Sequence, residues 1–242
     1  MILARLACHR GSSLPAVGIA AAPGPTPIRL AKTTGRIIGF RLISRNRCRM
    51  PRASLKESLL AAALDQFHAR GYNATGVASI ATAAGAPKGS FYNHFSSKED
   101  LAIQVVNAYA RSMKPELLQA DGAEPVARIR RHFAHLASSL EEFDYRRGCL
   151  LGNMAAETGE TSNDVGSRVN TIFEDWAADL SAAVKDAQSE GTVPDELDAD
   201  LAAAALIDLY EGAALLAKAT GRSESVRRAL EHGIPALLHL NR

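Results

Sequence analysis

Thr75-Gly76-Val77-Ala78-Ser79-Ile80-Ala81-Thr82-Ala83-Ala84-Gly85-Ala86-Pro87-Lys88-Gly89-Ser90-Phe91-Tyr92-Asn93-His94-Phe95-Ser96-Ser97-Lys98-Glu99-Asp100-Leu101 decides how the chain folds. Its first third spells a short helix: Thr75 is a candidate N-cap, Val77, Ile80 and Ala84 recur at helical spacing, and Gly85 supplies a left-handed stop. A tight turn follows. Pro87 suits the first turn of a second helix, where a missing N–H costs nothing, and only about two turns fit before Ser96 or Ser97 caps a third. Phe91 and Phe95 stand i, i+4 and are expected to face the core, which turns Lys88, Gly89, Ser90, Tyr92, Asn93 and His94 outward.

Two short helices joined by a glycine turn form a helix-turn-helix, the motif whose second helix enters the major groove of DNA. The outward set is small, polar and rich in hydrogen-bonding groups. Small residues at the helix start let the backbone approach base edges, while Tyr92, His94 and Lys98 have the reach for phosphates. Working outward, a preceding helix is expected from about Ser54 to Arg70, with Leu60, Leu64 and Phe67 as its apolar stripe and Gly71 ending it. After Ser97 a fourth helix continues through Leu101, Val105 and Ala108 toward Met113, stopped by Pro115 or by the Asp121-Gly122 turn.

These residues also carry a resemblance. Arg70-Gly71-Tyr72 at the end of the first helix, Ile80-Ala81 with Ala84-Gly85, and the whole of Lys88 to Glu99 are similar to the DNA-binding head of the TetR/AcrR family of one-component bacterial regulators, over about fifty residues. The resemblance implies base-reading positions for Lys88, Gly89 and Ser90 and phosphate-clamping positions for Tyr92, His94 and Lys98. Thr75 and Asn93 complete the candidate DNA-binding set. Lys98 or His94 taken singly could merely solvate a small helical domain, but the whole constellation argues against that.

Residues 1–49 read differently. They hold nine Arg or Lys and no Asp or Glu, with Pro, Gly, Ser and Ala filling much of the rest and no sustained period. Such a segment can mimic a transit peptide, can track DNA phosphate as a basic arm, or can be upstream sequence ahead of a start at Met50. The last reading is favoured, because Met50-Pro51-Arg52-Ala53-Ser54 opens directly onto the head. In each case the segment lacks the apolar content to fold and is expected to be disordered. No secretory signal and no run of about 18 apolar residues occurs, so membrane insertion is not expected and a cytoplasmic location is.

Charge is best counted without that segment. The chain carries 28 basic and 26 acidic residues, whereas residues 50–242 carry 19 and 26, a formal −7. The head, 50–100, is +1 with five basic and four acidic residues. DNA affinity must therefore come from local placement, doubled by a dimer and weakened by salt. Cys8, Cys48 and Cys149 provide neither a disulfide framework nor metal-ligand spacing, and no metal or cofactor is expected.

From Pro125 onward every segment keeps a helical period, so the fold class is all-α: a three-helix head over 50–100 and a ligand-binding and dimerisation domain over 101–242. Val126, Ile129, Phe133, Leu136, Leu140 and Phe143 make one core-facing stripe. A short apolar helix follows Cys149, a long one carries Val165 to Ala187 and ends at Gly191, and an Ala-rich one begins after Asp198. The last runs from Ser223 to about Leu240, bent at Pro235. The Ala/Gly-rich face from Ala202 to Gly212, with the final helix, suits a four-helix dimer interface; internal packing is the alternative. The family resemblance, in which the last two long helices dimerise, favours the interface, and a homodimer can read a palindromic operator.

Tyr145-Arg146-Arg147-Gly148-Cys149-Leu150-Leu151-Gly152-Asn153-Met154 places a thiol at a helix N-terminus directly after two arginines, and both features lower a thiol pKa from about 8.5. An inert buried cysteine is the competing reading. This stretch and Tyr210-Glu211-Gly212-Ala213-Ala214-Leu215-Leu216-Ala217-Lys218 resemble the ligand domain of a TetR branch that senses reactive electrophiles or governs acrylate metabolism. By that resemblance Cys149 and Lys218 belong to an effector-sensing site. Lys218 on an apolar helix is costly unless paired, or else it snorkels to solvent. Trp176, Phe133, Met154 and Tyr210 are candidate pocket walls, or plain core.

The expected function is a repressor released from operator DNA by a small electrophilic or acidic effector, or by a non-covalent hydrophobic ligand with Cys149 purely structural. Engagement of Cys149 is expected to act through the helix at Leu101 to Met113. A thiol-dependent enzyme would need a base and an oxyanion site, and no histidine stands in motif spacing with Cys149. A helical adaptor without DNA binding is opposed by the intact second helix.

Overall fold

A computed structural model describes residues 54–119, 122–158 and 163–240, the side chain of Asn163 excepted. The expected disorder of residues 1–49, the start at Met50 and the Asp121 half of the expected turn lie outside the described residues. All regular structure among the described residues is helical. α1 spans Leu55–Arg70, α2 Val77–Ala83, α3 Lys98–Ser112, α4 Pro125–Glu141, α5 Leu150–Thr158, α6 Asn163–Ser189 and α7 Ala199–Thr220. The chain ends in a broken helix: α8 is Glu224–Arg228, a π-helical turn covers Ala229–Gly233, and α9 is Ile234–Leu237. Wider π turns accommodate the ring and missing N–H of Pro235, so the interruption expected there takes the form of a local unwinding.

Short-range chemistry sets most helix ends. Ser54 and Glu57 form a reciprocal capping box, the Glu57 N–H donating to Ser54 Oγ at 3.2 Å and the Ser54 N–H to Glu57 Oε2 at 2.8 Å. Ser97 caps α3, Glu124 caps α4 and Asp198 caps α7. Gly85 ends α2 with φ +67°, as its sequence position demands.

Two expectations change. Leu59, Ala63 and Phe67 are the buried stripe of α1, whereas Leu60 and Leu64 are half-buried; α1 packs against α2, α3 and α5, so its apolar face is broader than one row. The second helix of the head is a 3-10 helix, Lys88–Asn93, with Pro87 just ahead of it and in extended geometry. As expected, α3 runs unbroken across residues 100 and 101, so head and second domain share one continuous helix.

The head closes on Leu59, Phe67, Ile80, Phe91, Phe95 and Leu101, all buried. Gln66 ties α1 to α2, its Nε2 donating to the Ser79 carbonyl at 3.1 Å while the Ser79 hydroxyl donates to Gln66 Oε1 at 2.8 Å. The second domain wraps α4, α5 and α7 around α6, with the Arg128–Asp186 ion pair at 2.5 Å joining α4 to α6. Phe133, Trp176 and Tyr210 meet at tilted and edge-on angles at its centre, with ring centroids 5.9 to 6.1 Å apart. No helix among the described residues is long and apolar enough to cross a membrane.

Candidate functional site

The outer face of the 3-10 helix is built from the inside. Phe91 and Phe95 are buried with ring centroids 5.5 Å apart, which anchors the segment and leaves Lys88, Gly89, Tyr92 and Asn93 exposed and Ser90 and His94 half-exposed. Tyr92 is 60% exposed, an unusual place for so large a ring and one suited to a partner. A side chain at Gly89 would meet nothing within 4 Å, so its smallness serves no internal packing and leaves the backbone open to close approach. The Ser90 hydroxyl donates to the Pro87 carbonyl at 2.6 Å and steadies the start of the helix.

Two members of the candidate DNA-binding set turn inward. Thr75 is 1% exposed; its hydroxyl donates to the Gly71 carbonyl at 2.7 Å, and Gly76 stands at the N-cap of α2 with no side-chain cap. Its side chain is an internal brace rather than the expected cap. Lys98 points its ammonium at the Tyr72 and Thr75 carbonyls, at 3.2 and 3.4 Å, and over the Tyr72 ring at 4.0 Å. Burial lowers its pKa. The ammonium therefore holds the 72–75 loop onto α3 and offers at most its remaining N–H outward.

The second site is a cleft of about 290 Å³ lined by Cys149, Gly152, Asn153, Glu211, Leu215 and Lys218, among others. Gly148, at φ +68°, turns the chain from the 144–148 loop into α5, and the Lys218 stem packs against it, its Cδ 3.1 Å from where a Cβ would stand. Lys218 Nζ donates to Asn153 Oδ1 at 2.7 Å, and Asn153 Nδ2 donates to the Arg147 carbonyl at 2.8 Å. Lys218 is thus paired within the cleft, as the cost of an unpaired cation on an apolar helix requires.

Cys149 is 4% exposed, and the Tyr109 hydroxyl donates to its sulfur at 3.7 Å. Burial and the neighbouring Glu211 carboxyl push the thiol pKa well above its ordinary value. Of the two readings of this thiol, the raised pKa favours the buried cysteine over the thiolate, and geometry gives the reason. Arg147 is drawn away to Asp65 at 2.7 Å and to the Phe143 ring, and Arg146 lies against Gly221, so neither arginine reaches the sulfur. Glu211 is itself raised by burial, and its Oε1 has no hydrogen-bond partner.

Head and cleft are joined by hydrogen bonds at both ends of α5. His68 of α1 is buried and shares a 2.8 Å bond with the Gly148 carbonyl; because a carbonyl only accepts, Nε2 carries the hydrogen. Burial lowers the His68 pKa and keeps the ring neutral. At the other end, the Asn73 N–H donates to Glu157 Oε2 at 2.8 Å and the Asn73 side chain to the Glu157 carbonyl at 3.2 Å.

Sequence reasoning did not assign Glu211, Asn153 or His68. The first two stand inside the quoted motif stretches, and His68 follows Phe67 on the buried side of α1, which was the available signal. Of the proposed pocket walls, Met154 and Phe133 are core, Tyr210 is buried behind the thiol, and Trp176 lines a different cavity. Among the described residues no His, Cys, Asp and Glu cluster could hold a metal.

Two family descriptions match the chain: bacterial regulatory proteins of the tetR family over residues 59–105, and the tetracyclin repressor-like C-terminal domain over residues 125–233. The HTH-type transcriptional repressor DhaR of Mycobacterium sp. strain GP1 is 32% identical over 78% of this chain and 95% of its own length. The transcriptional regulator AcuR of Cereibacter sphaeroides is 35% identical over 69% of this chain and 78% of its own. A crystal structure of a regulatory protein TetR from Rhodobacter sphaeroides superposes with TM-score 0.69 at 31% identity, covering 77% of this chain and 99% of that one. The reduced form of Escherichia coli NemR does so with TM-score 0.65 at 28% identity, covering 74% and 95%.

Proposed function

Because this chain belongs to the TetR family of transcriptional regulators, which are not enzymes, we propose that it is a repressor that binds a palindromic operator as a homodimer and is released when a small molecule enters the Cys149 cleft. One observation supports this above others: α5, which carries the cleft, is hydrogen-bonded to the head at Gly148 and at Glu157. A ligand that wedges Lys218 from Asn153, or moves Gly148, pulls directly on α1 and on the loop ahead of α2. The expected route through α3 gains support from the Tyr109 hydroxyl on the Cys149 sulfur, but the contact through α1 is shorter and stronger. Release then follows from the effector's differential affinity for the two head positions.

The DNA-facing set is Lys88, Gly89, Ser90, Tyr92, Asn93 and His94. Leu201, Leu215 and Leu216 stand exposed on one side of α7, beside exposed Gly212, which supports α7 with α8 and α9 as the dimer surface. Ala202 and Ala203, by contrast, are buried inside the protomer, so the small-residue face serves internal packing as well. Such a regulator works beside the chromosome in the cytoplasm.

The effector reading has two forms. In the covalent form, an electrophilic alkene enters the cleft, the Cys149 sulfur bonds to its β-carbon, the C=C bond becomes single, and the thiol proton ends on the α-carbon. In the other form a small acid pairs with Lys218 and Cys149 only packs, a reading favoured by the raised thiol pKa. Operator binding by anisotropy, with DNA from upstream of the gene and with acrylate or a quinone, separates them in wild type and Cys149→Ser. Release lost in Cys149→Ser supports the covalent form, and release kept in Cys149→Ser but lost in Lys218→Met supports the acid. Failure of the untreated protein to bind that DNA more tightly than scrambled DNA would sink the operator assignment.

A further inference from the structure

Between the C-terminal half of α3, α4 and α6 lies a second cavity, of about 200 Å³, which shares no lining residue with the Cys149 cleft. Its walls include Met113, Pro115 and Ile172, and also His132 and Trp176. Those last two are a physical anomaly. His132 is 0% exposed and Trp176 is buried, their ring centroids are 5.7 Å apart, and all three of their ring nitrogens lack a hydrogen-bond partner. The Lys114 carbonyl beside the His132 ring can accept at most one N–H, which still leaves the other His132 nitrogen and the Trp176 N–H without a partner. Buried polar groups are almost always satisfied, so unpartnered ring nitrogens on two residues that line one cavity point to an occupant.

The donor set narrows what that is. Burial holds His132 down to about 4, so at neutral pH its ring has one N–H and one bare nitrogen. Trp176 adds a second N–H. A carbonyl or carboxylate could only accept and would leave the bare nitrogen unpaired, whereas a hydroxyl accepts from an N–H and donates to that nitrogen. Charge at the mouth is balanced, Arg111 and Arg168 against Asp175 and Asp179, and selects neither sign. For scale, an apolar cavity of about 150 Å³ accepts benzene.

We propose that this cavity is a second ligand site, taking an uncharged phenolic ring whose hydroxyl bridges His132 and Trp176. The site goes beyond the Cys149 effector reading and needs no thiol. Its wall includes Asn107, Ala110 and Arg111 of α3, the helix that enters the head, and Met113 at its C-cap, so occupancy bears on the same element.

Trp176 is the sole tryptophan of the chain, so its fluorescence reports the site directly. The full chain is titrated with phenol, with benzene as a ring without hydrogen bonds, and with benzoate as an acceptor only. Phenol should saturate the signal, with benzene and benzoate at least about tenfold weaker, the step that one hydrogen-bonding group confers. His132→Phe should weaken phenol about tenfold and spare benzene. Ile172→Phe, which fills the cavity, should block both, with circular dichroism confirming the fold of each variant. Cys149→Ser should bind phenol as the wild type does. The proposal is overturned if phenol does not saturate, leaving the cavity to water alone, if His132→Phe binds phenol unchanged, or if Cys149→Ser abolishes binding. None of these readouts involves DNA, so failure of the repressor assignment is distinguishable from failure of this site.

Discussion

The face of the 3-10 helix and the cleft around Cys149 treat their polar groups in opposite ways. On the head, Lys88, Gly89, Tyr92 and Asn93 are exposed, and their surroundings come from residues within one turn. In the cleft, Cys149, Lys218, Asn153 and Glu211 come from α7 and from the start and body of α5, each conditioned by burial and by the others. An exposed binding face keeps the chemistry its residue types imply. A buried site does not, because desolvation can outweigh a helix terminus and two nearby arginines, as it does for the thiol.

The strongest way to break that contrast is through the buried anchor of the exposed face. Phe91→Ala should cost about 3–5 kcal/mol by emptying the head core, read as a lower denaturation midpoint with operator binding lost. If binding survives, the outer face does not depend on its inner one.

Next in size is acid. The folded state keeps His132 near 4 whereas the unfolded chain titrates it near 6.5, so the unfolded chain takes up the proton first as pH falls. Stability that is whole above pH 6.5 should shrink by roughly 3 kcal/mol as pH falls to 4, and His68, shifted the same way, adds to the loss. Denaturant melts across that range test it, and His132→Phe should flatten the curve.

The smallest effects sharpen the contrast within the head. Lys88→Ala should weaken operator binding about tenfold and reduce the salt slope by about 1, with stability nearly unchanged. Thr75→Val should do the reverse, costing about 1 kcal/mol of stability for the lost hydroxyl bond while the folded protein binds DNA as before. Weakened binding in folded Thr75→Val would return that residue to the DNA-facing set.

Much of the architecture was legible in the chain. Ser97 and Asp198 cap where their types say they should, Gly71 and Gly85 stop helices with positive φ, and the stripe from Val126 to Leu140 is buried as its period requires. These are interactions of residues one to four positions apart, and a sequence displays them directly. Phe91 and Phe95 fixed the outward face of the second head helix by the same logic, though not its 3-10 winding.

What the sequence did not display are sums over distant groups. Thr75 and Lys98 look like surface polar residues until the 72–75 loop packs onto α3, and the pKa values of His68 and His132 fall only when α1 and α4 bury them. Cys149 is the sharpest case: its neighbours in the chain argue for a thiolate, but Arg147 is taken by Asp65 of α1, and Glu211 of α7 arrives instead. Sequence alone determined most of the helices and several of their caps, and which side of the Lys88–Asn93 segment faces outward, because those depend on local spacing. Tertiary structure alone decided the ionisation and the partners of the buried groups, because desolvation and Coulomb terms depend on what packs around a charge and not on what precedes it in the chain.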